Sequence, residues 1–294
     1  MARRYMRAMS PRATPSLAFM KMHGLGNDFV VVDTRARAEA ATDAADLAAP
    51  LIRAIADRHR GVGFDQLALI APARESGTAA HLLFYNADGT TSAACGNATR
   101  CIARHLMTET GAAALELTTD RGRLQARDAG DGLTAVNMGP PQTGWAEIPL
   151  AEAMDTLELP IEGGPTATGM GNPHCSFFVA DAERIPLEEF GPRYEHHPLF
   201  PERTNVQVAS LVGPDHLRMR VWERGVGVTL ASGSSSCAVA VAAARRGLTG
   251  RRVRIDLDGG TLEIDWTEQG VWMTGPSMHV FTGELTAEFL GSAA

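Results

Sequence analysis

Two kinds of apolar pattern alternate along the chain. Short runs such as FVVVD (29–33), QLALIAP (66–72), CSFFVA (175–180) and VQVASLV (206–212) are bounded by glycine, asparagine and proline and read as buried strands. Two longer stretches, GNATRCIARHLMTE (96–109) and SSCAVAVAAARRG (235–247), each follow a turn of small residues and have the length of a helix. A hairpin pattern comes after each helix, most plainly in RVRIDLDGGTLEIDW (252–266). There Asp258-Gly259-Gly260 is expected to supply the positive φ values of a tight turn.

The alternation is written twice. LLFYNADGTTSAACGNATRC (82–101) and RVWERGVGVTLASGSSSC (220–237) superpose with Tyr85 on Trp222, Asn86 on Glu223, Cys95 on Ser232 and Gly96 on Gly233. In the same frame Gly122 meets Gly259, and upstream GLGNDF (24–29) answers GMGNPH (169–174). The order of the matches is the same in both halves, which points to a duplication. The expected fold is mixed α/β (α+β), with two pseudo-symmetric lobes, each a strand-rich sheet or barrel around one central helix. The boundaries read as a flexible extension over 1–19, an N-terminal lobe over 20–142 and a C-terminal lobe over 143–294. GPPQTGWAEIPL (139–150) is the candidate linker. Two facing copies put equivalent residues on opposite walls of one cleft, an arrangement suited to chemistry on two faces of a substrate.

Composition narrows the functions. A chain of 294 residues is long enough for two cores, and no apolar run approaches the ~18 residues of a membrane span. The net charge of -7, without a basic cluster beyond the N-terminus, argues against a nucleic-acid partner. Cys95, Cys101, Cys175 and Cys237 have neither disulfide-framework nor metal-knuckle spacing, so reduced, cytosolic thiols are expected. The first residues, MARRYMRAMSPRATPSLAFM, are arginine-rich and free of acids. They share that with organelle transit peptides, but read more simply as a frayed extension. Lys21 is the only lysine, leaving almost no candidate for a pyridoxal phosphate Schiff base. No cofactor is expected.

Cys95 stands at the start of a helix, where free backbone N–H groups and the macrodipole favour an anion. A thiol so placed is expected to have a lowered pKa, and the same turn can cradle a carboxylate. Ser232-Gly233-Ser234 holds the matching place. Taken singly, a cysteine is more often an inert buried side chain and a serine before a helix simply its cap. Cys101, Cys175 and Cys237 keep the inert reading. Glu195-His196-His197 lacks the i, i+4 pairing of a metal site, and no metal is expected. What sets Cys95 and Ser232 apart is their equivalence in the repeat.

MHGLGNDFVVVD, FDQ, FYNADG, ACGNATRC, GNPH, EHHPLFPERTNV and WERGVGVTLASGSSSCA together resemble the ordered motifs of the diaminopimelate epimerases, from about Met20 to the C-terminal end. The resemblance implies a two-lobed, often dimeric protein whose last strand returns to the first lobe. It also implies cofactor-independent interconversion of LL- and meso-2,6-diaminopimelate, for bacterial lysine and cell-wall synthesis. By position, Cys95 matches the first catalytic cysteine and Ser232 the second. Gly96-Asn97 and Gly233-Ser234 match the clamp on the reacting carboxylate, Asn86 and Glu223 the groups around the reacting ammonium. Asn27, Asn172, Asn205 and Arg224 match recognition of the distal amino-acid centre, and Gln66 and His174 other pocket positions.

The family pattern has Ala-Cys-Gly where this chain has Ala-Ser-Gly. A serine hydroxyl is almost never ionised at neutral pH and is a poor base. Three readings of Ser232 stay open: a thiol replaced on purpose in an ordinary epimerase; a native serine relaying a proton with help from His174 or Glu223; or a site turned to one-base racemisation or elimination of a related amino acid. An amino-acid-binding pseudoenzyme is the alternative outside catalysis.

Overall fold

The computed structural model describes residues 16–37 and 47–293, so most of the expected N-terminal extension lies outside the described residues. Residues 17–19, assigned to that extension, are instead the start of strand β1 (Leu17–Gly24), with Leu17 and Phe19 buried.

The first half continues with β2 (Asn27–Asp33), helix α1 (Ala49–Ala56), β3 (Gln66–Ala71), β4 (Ala80–Asn86), β5 (Thr91–Ser92), helix α2 (Gly96–Thr110), β6 (Ala114–Thr119), β7 (Gly122–Gly130) and β8 (Leu133–Asn137). The second has β9 (Thr166–Gly169), β10 (Pro173–Phe178), helix α3 (Leu187–Glu195), β11 (Asn205–Gly213), β12 (His216–Glu223), β13 (Gly227–Thr229), helix α4 (Gly233–Arg245), β14 (Arg252–Leu257), β15 (Gly260–Thr267) and β16 (Gly270–Pro276). Strand β17 (Met278–Leu285) and helix α5 (Ala287–Ser292) end the chain.

The duplication is visible in the pairing itself. In the first half β1 pairs antiparallel with β2, β2 parallel with β3, β3 antiparallel with β4, β4 parallel with β6, and β6, β7 and β8 follow antiparallel. Strands β9, β10, β11, β12, β14, β15 and β16 repeat that order with the same directions. An antiparallel β8–β16 ladder joins the halves, and β17 returns to pair with β1.

Each sheet curls around one helix. Helix α4 buries every residue from Ser235 to Ala243, as a helix apolar all round must when it sits inside a sheet. Helix α2 buries Ala98, Cys101, Ile102 and Leu106 and ends at Gly111, whose φ of 70° closes it in the left-handed region. Two separate apolar cores surround these helices, and two further clusters sit under α1 and α3. The outer helices α1 and α3 were not anticipated; both are short, α1 carrying Pro50 in its first turn and α3 carrying Pro192 inside it.

Several expectations change. The segment 139–150 is not an open tether: Ile148 and Leu150 are buried in the cluster that also contains Phe177 and Val208. In the β14–β15 turn only Gly260 has a positive φ, 138°. Gly259 is needed for another reason, because the carbonyl oxygens of Leu25 and Leu230 press against the place of its missing Cβ while its N–H donates to Leu230 O at 2.8 Å. The hairpin registers Thr119↔Gly122 and Leu257↔Gly260 make Gly122 the counterpart of Gly260, one residue beyond the sequence match.

That shift exposes an exchange between the halves. The tip of the β14–β15 hairpin touches the Leu25-Gly26 turn of the first half. The tip of the β6–β7 hairpin reaches the Met170-Gly171 turn of the second, where Arg121 Nη1 donates to Met170 O at 2.6 Å.

Candidate active site

The starts of β3 and β11 and the ends of β4 and β12 hold equivalent side chains, because the pairing register is the same in both halves. Gln66 pairs across from Asn86, and its Nε2 donates to Asn86 Oδ1 at 2.9 Å. In the second half Val206 pairs with Trp222, which brings Asn205 beside the Glu223-Arg224 turn, and Asn205 Oδ1 accepts from Arg224 N at 3.0 Å. Just beyond these strand ends the chain turns into α2 and α4.

The two helices begin alike. Cys95 caps α2 with φ -144° and ψ 108°, and Ser232 caps α4 with φ -135° and ψ 117°. Their N-termini converge: a Cβ added to Gly96 would lie 3.2 Å from Met273 Cε, and one added to Gly233 would lie 2.8 Å from Met273 Sδ and 3.5 Å from Asn97 Oδ1. One methionine thus lies against both helix starts, packed where side chains on Gly96 and Gly233 would otherwise stand. The N-terminus of a helix, with its free N–H groups and positive dipole end, favours an anion.

The caps differ in what they do. Cys95 Sγ accepts from Ala98 N at 3.5 Å, as a cap does. The Ser232 hydroxyl makes no such bond and donates to Glu223 Oε2 at 2.9 Å, while Thr229 Oγ1 donates to Glu223 Oε1 at 2.6 Å. Burial raises the Glu223 pKa, opposed by these two hydroxyl bonds. The expected lowering of the Cys95 thiol is reversed: burial pushes it up to about 12, the nearby Glu223 charge adds to the rise, and the Ala98 N–H only partly offsets both. Desolvation outweighs the helix end here. In the free protein Cys95 is a thiol.

A second group of polar side chains lies near these caps, Ser235 of α4 standing 3.5 Å from His174 Nδ1. His174 Nδ1 accepts from Gln207 Nε2 at 3.0 Å, so its Nε2 carries the proton and donates to Asn172 Oδ1 at 2.9 Å. Burial, with Arg224 and Arg121 nearby, lowers the His174 pKa to about 3 and keeps the ring neutral. Asn172 and Arg224 line a cavity of about 290 Å³ together with Gln142, Glu147, Gly171 and Glu202. Asn27 opens β2, accepts from Asn97 Nδ2 at 3.2 Å and donates to Asp65 Oδ2 at 2.9 Å. Ser234 lies half-buried in the first turn of α4.

Several participants escaped the sequence reading. Thr229 shares Glu223 with Ser232, and Gln207 sets the His174 tautomer. Glu195 is buried and brackets the Glu223-Arg224 turn, accepting from Trp222 Nε1 at 2.6 Å and Gly225 N at 2.9 Å. The acid of Glu195-His196-His197 is therefore committed to that turn. Among the described residues no group of three or more histidines, cysteines or acids is gathered as for a metal. No helix there is long and apolar enough to cross a membrane.

A family model described as diaminopimelate epimerase matches residues 19–144 and 166–280. A diaminopimelate epimerase of Rhodospirillum centenum is 52% identical over 277 residues, covering 92% of this chain and 93% of that protein. One from Acidiphilium cryptum is also 52% identical over 277 residues, covering 92% and 97%. Among solved structures, a hydroxyproline epimerase from Agrobacterium vitis superposes with a TM-score of 0.65 at 15% identity, over 94% of each chain. A phenazine biosynthesis protein from Bacillus anthracis gives 0.63 at 13% identity, over 92% of this chain and 99% of that one. These distant likenesses speak to the fold alone. The family match spans both halves and relatives half identical to this chain cover nearly all of it: the chain belongs to the diaminopimelate epimerase family.

Proposed function

We propose that the chain interconverts LL- and meso-2,6-diaminopimelate by moving a proton from one face of an α-carbon to the other without a cofactor, serving lysine and cell-wall precursor synthesis. The observation that carries this is the pair of matched helix caps, Cys95 and Ser232, at two converging helix N-termini. The reacting carboxylate would sit on the N–H groups around Gly96-Asn97 and Gly233-Ser234, which hold its charge in the ground state and keep holding it as Cα–H breaks. Asn86 and Glu223 face the reacting ammonium. Asn27, Asn172, Asn205 and Arg224, with Gln66 and His174, form the distal subsite.

The proton inventory follows from the hydrogen bonds. On one face Ser232 Oγ takes the Cα proton as its own proton passes to Glu223 Oε2, leaving Glu223 neutral. On the other, the Cys95 thiol gives its proton to Cα and becomes thiolate. The reverse reaction returns both protons by the same routes. Glu223, raised by burial, is closer to operating pH than an exposed carboxylate, as a general base should be. His174 is already satisfied by Gln207 and Asn172, which favours Glu223 over His174 as the partner of Ser232.

Incubation in D2O with each isomer, followed by chiral separation and mass spectrometry, tests the reading. Inversion with incorporation of one deuterium is expected. Exchange without inversion would replace it with one-base chemistry, and neither would indicate a binding protein. We further propose a soluble bacterial homodimer: Met278, Val280 and Phe281 on β17 expose about half their surface (55%, 53% and 47%), and light scattering coupled to size exclusion measures the mass.

A further inference from the structure

Among the described residues Arg100 is the largest side chain that is fully buried, and no acid pairs with it. Its Nη1 donates to Asn97 Oδ1 at 2.9 Å and lies 3.7 Å from Met273 Sδ, its Nε donates to Pro276 O at 3.1 Å, and its Nη2 is left without a partner. Gly24 keeps the slot open, and Gly275 lies at ordinary contact distance on its other side. A Cβ on Gly24 would lie 2.5 Å from Nη2, and one on Gly275 would lie 3.6 Å from Cζ. The guanidinium thus touches β1 of one half and β16 of the other, directly behind the meeting helix ends.

We propose that Arg100 is a positioning residue that prepares the seat of the substrate's reacting carboxylate; this rests on the epimerase reading above. Two physical reasons support it. First, arginine has donors only, so Asn97 must turn its oxygen toward Arg100. The Asn97 amide nitrogen then points to Asn27 Oδ1 at 3.2 Å, and the Asn27 amide nitrogen to Asp65 Oδ2 at 2.9 Å. The cation therefore sets the direction of Asn97, which could otherwise flip, and the acceptor-only Asp65 sets Asn27 to match. Second, an unpaired buried charge is costly, and two positive helix ends beside it compound the excess. The seat is electrically incomplete until an anion enters, and an amino-acid carboxylate is the anion the proposed reaction brings.

The test compares Arg100→Met, Arg100→Lys and Gly24→Ala in the full chain, each checked for folding by thermal melting, using diaminopimelate as substrate. Loss of a seat shared by ground and transition states should raise KM about tenfold or more in Arg100→Met with kcat within about threefold. Arg100→Lys keeps the charge and should bring KM back to within about threefold of wild type. Gly24→Ala displaces the guanidinium without removing it and should raise KM several-fold. A folded Arg100→Met with wild-type KM, a fall in kcat at unchanged KM, or failure of lysine to restore KM would overturn the proposal. If Arg100→Met does not fold, an unchanged KM in Gly24→Ala would overturn it. Should the wild type fail to epimerise, the functional reading fails instead, and calorimetric Kd values for diaminopimelate across the same variants decide this proposal.

Discussion

The Ser232 hydroxyl, at the N-cap of α4, donates to Glu223 Oε2 at 2.9 Å and accepts no bond from the N–H groups of its own helix. Its counterpart Cys95 keeps the capping role, accepting from Ala98 N at 3.5 Å. The two caps of a duplicated fold have therefore parted chemically while keeping one backbone geometry.

A thiol at position 232 would need no relay. Ser232→Cys is expected to raise the epimerisation rate on the order of 10², the scale of a general acid–base group, in a steady-state assay with LL-diaminopimelate. Ser232→Ala should lower it by a similar factor. A Ser232→Ala protein as fast as wild type would remove Ser232 from the proton path.

Buried thiols make the fold sensitive to alkali. A cysteine in the unfolded chain ionises near about 8.5, whereas burial holds Cys95 and Cys237 at about 12 and Cys101 at about 11. The folded state keeps protons that the unfolded state releases. The resulting stability is complete below about pH 8.5 and falls as pH rises toward 11 to 12. Denaturant melts between pH 8 and 10.5 should show this decline, and iodoacetamide should label native Cys95 slowly at neutral pH.

His174 works in the opposite direction. Its folded pKa of about 3 lies below the ordinary value of 6.5, so its contribution is present above about pH 6.5 and is lost on acidification toward 3, as the unfolded state gains the proton first. Imidazole resonances followed by NMR should show no titration of His174 between pH 5 and 8.

Glu195 is expected to act on the site without touching substrate. Glu195→Ala removes the acceptor of the half-buried Trp222 indole N–H and of the N–H of the exposed Gly225, at a cost of about 1 kcal/mol per lost bond. A lowered melting temperature, altered Trp222 fluorescence and a reduced kcat/KM should appear together, because the turn they frame carries Glu223 and Arg224.

Much of this was legible in the chain because a duplication leaves marks that survive divergence. Tyr85 on Trp222 and Cys95 on Ser232 were enough to place two equivalent helix caps, since a helix start needs only local residues to declare itself. The hairpin glycines show the limit. Gly259 looked like a turn residue, but the carbonyls of Leu25 and Leu230 explain it, and those come from distant parts of the sequence. The pairing of β17 with β1 came from family resemblance, for nothing in the MHVFTGEL pattern names its partner.

The sequence by itself determined the repeat, the two central helices, their caps and the residue types at the cleft, all of which follow from short-range pattern and spacing. The tertiary structure alone decided the protonation of Cys95, the commitment of Ser232 to Glu223, and the setting of Arg100. Those depend on how much water is excluded and which groups from elsewhere stand nearby, and desolvation and close charge contacts exist only once both halves have closed around the site.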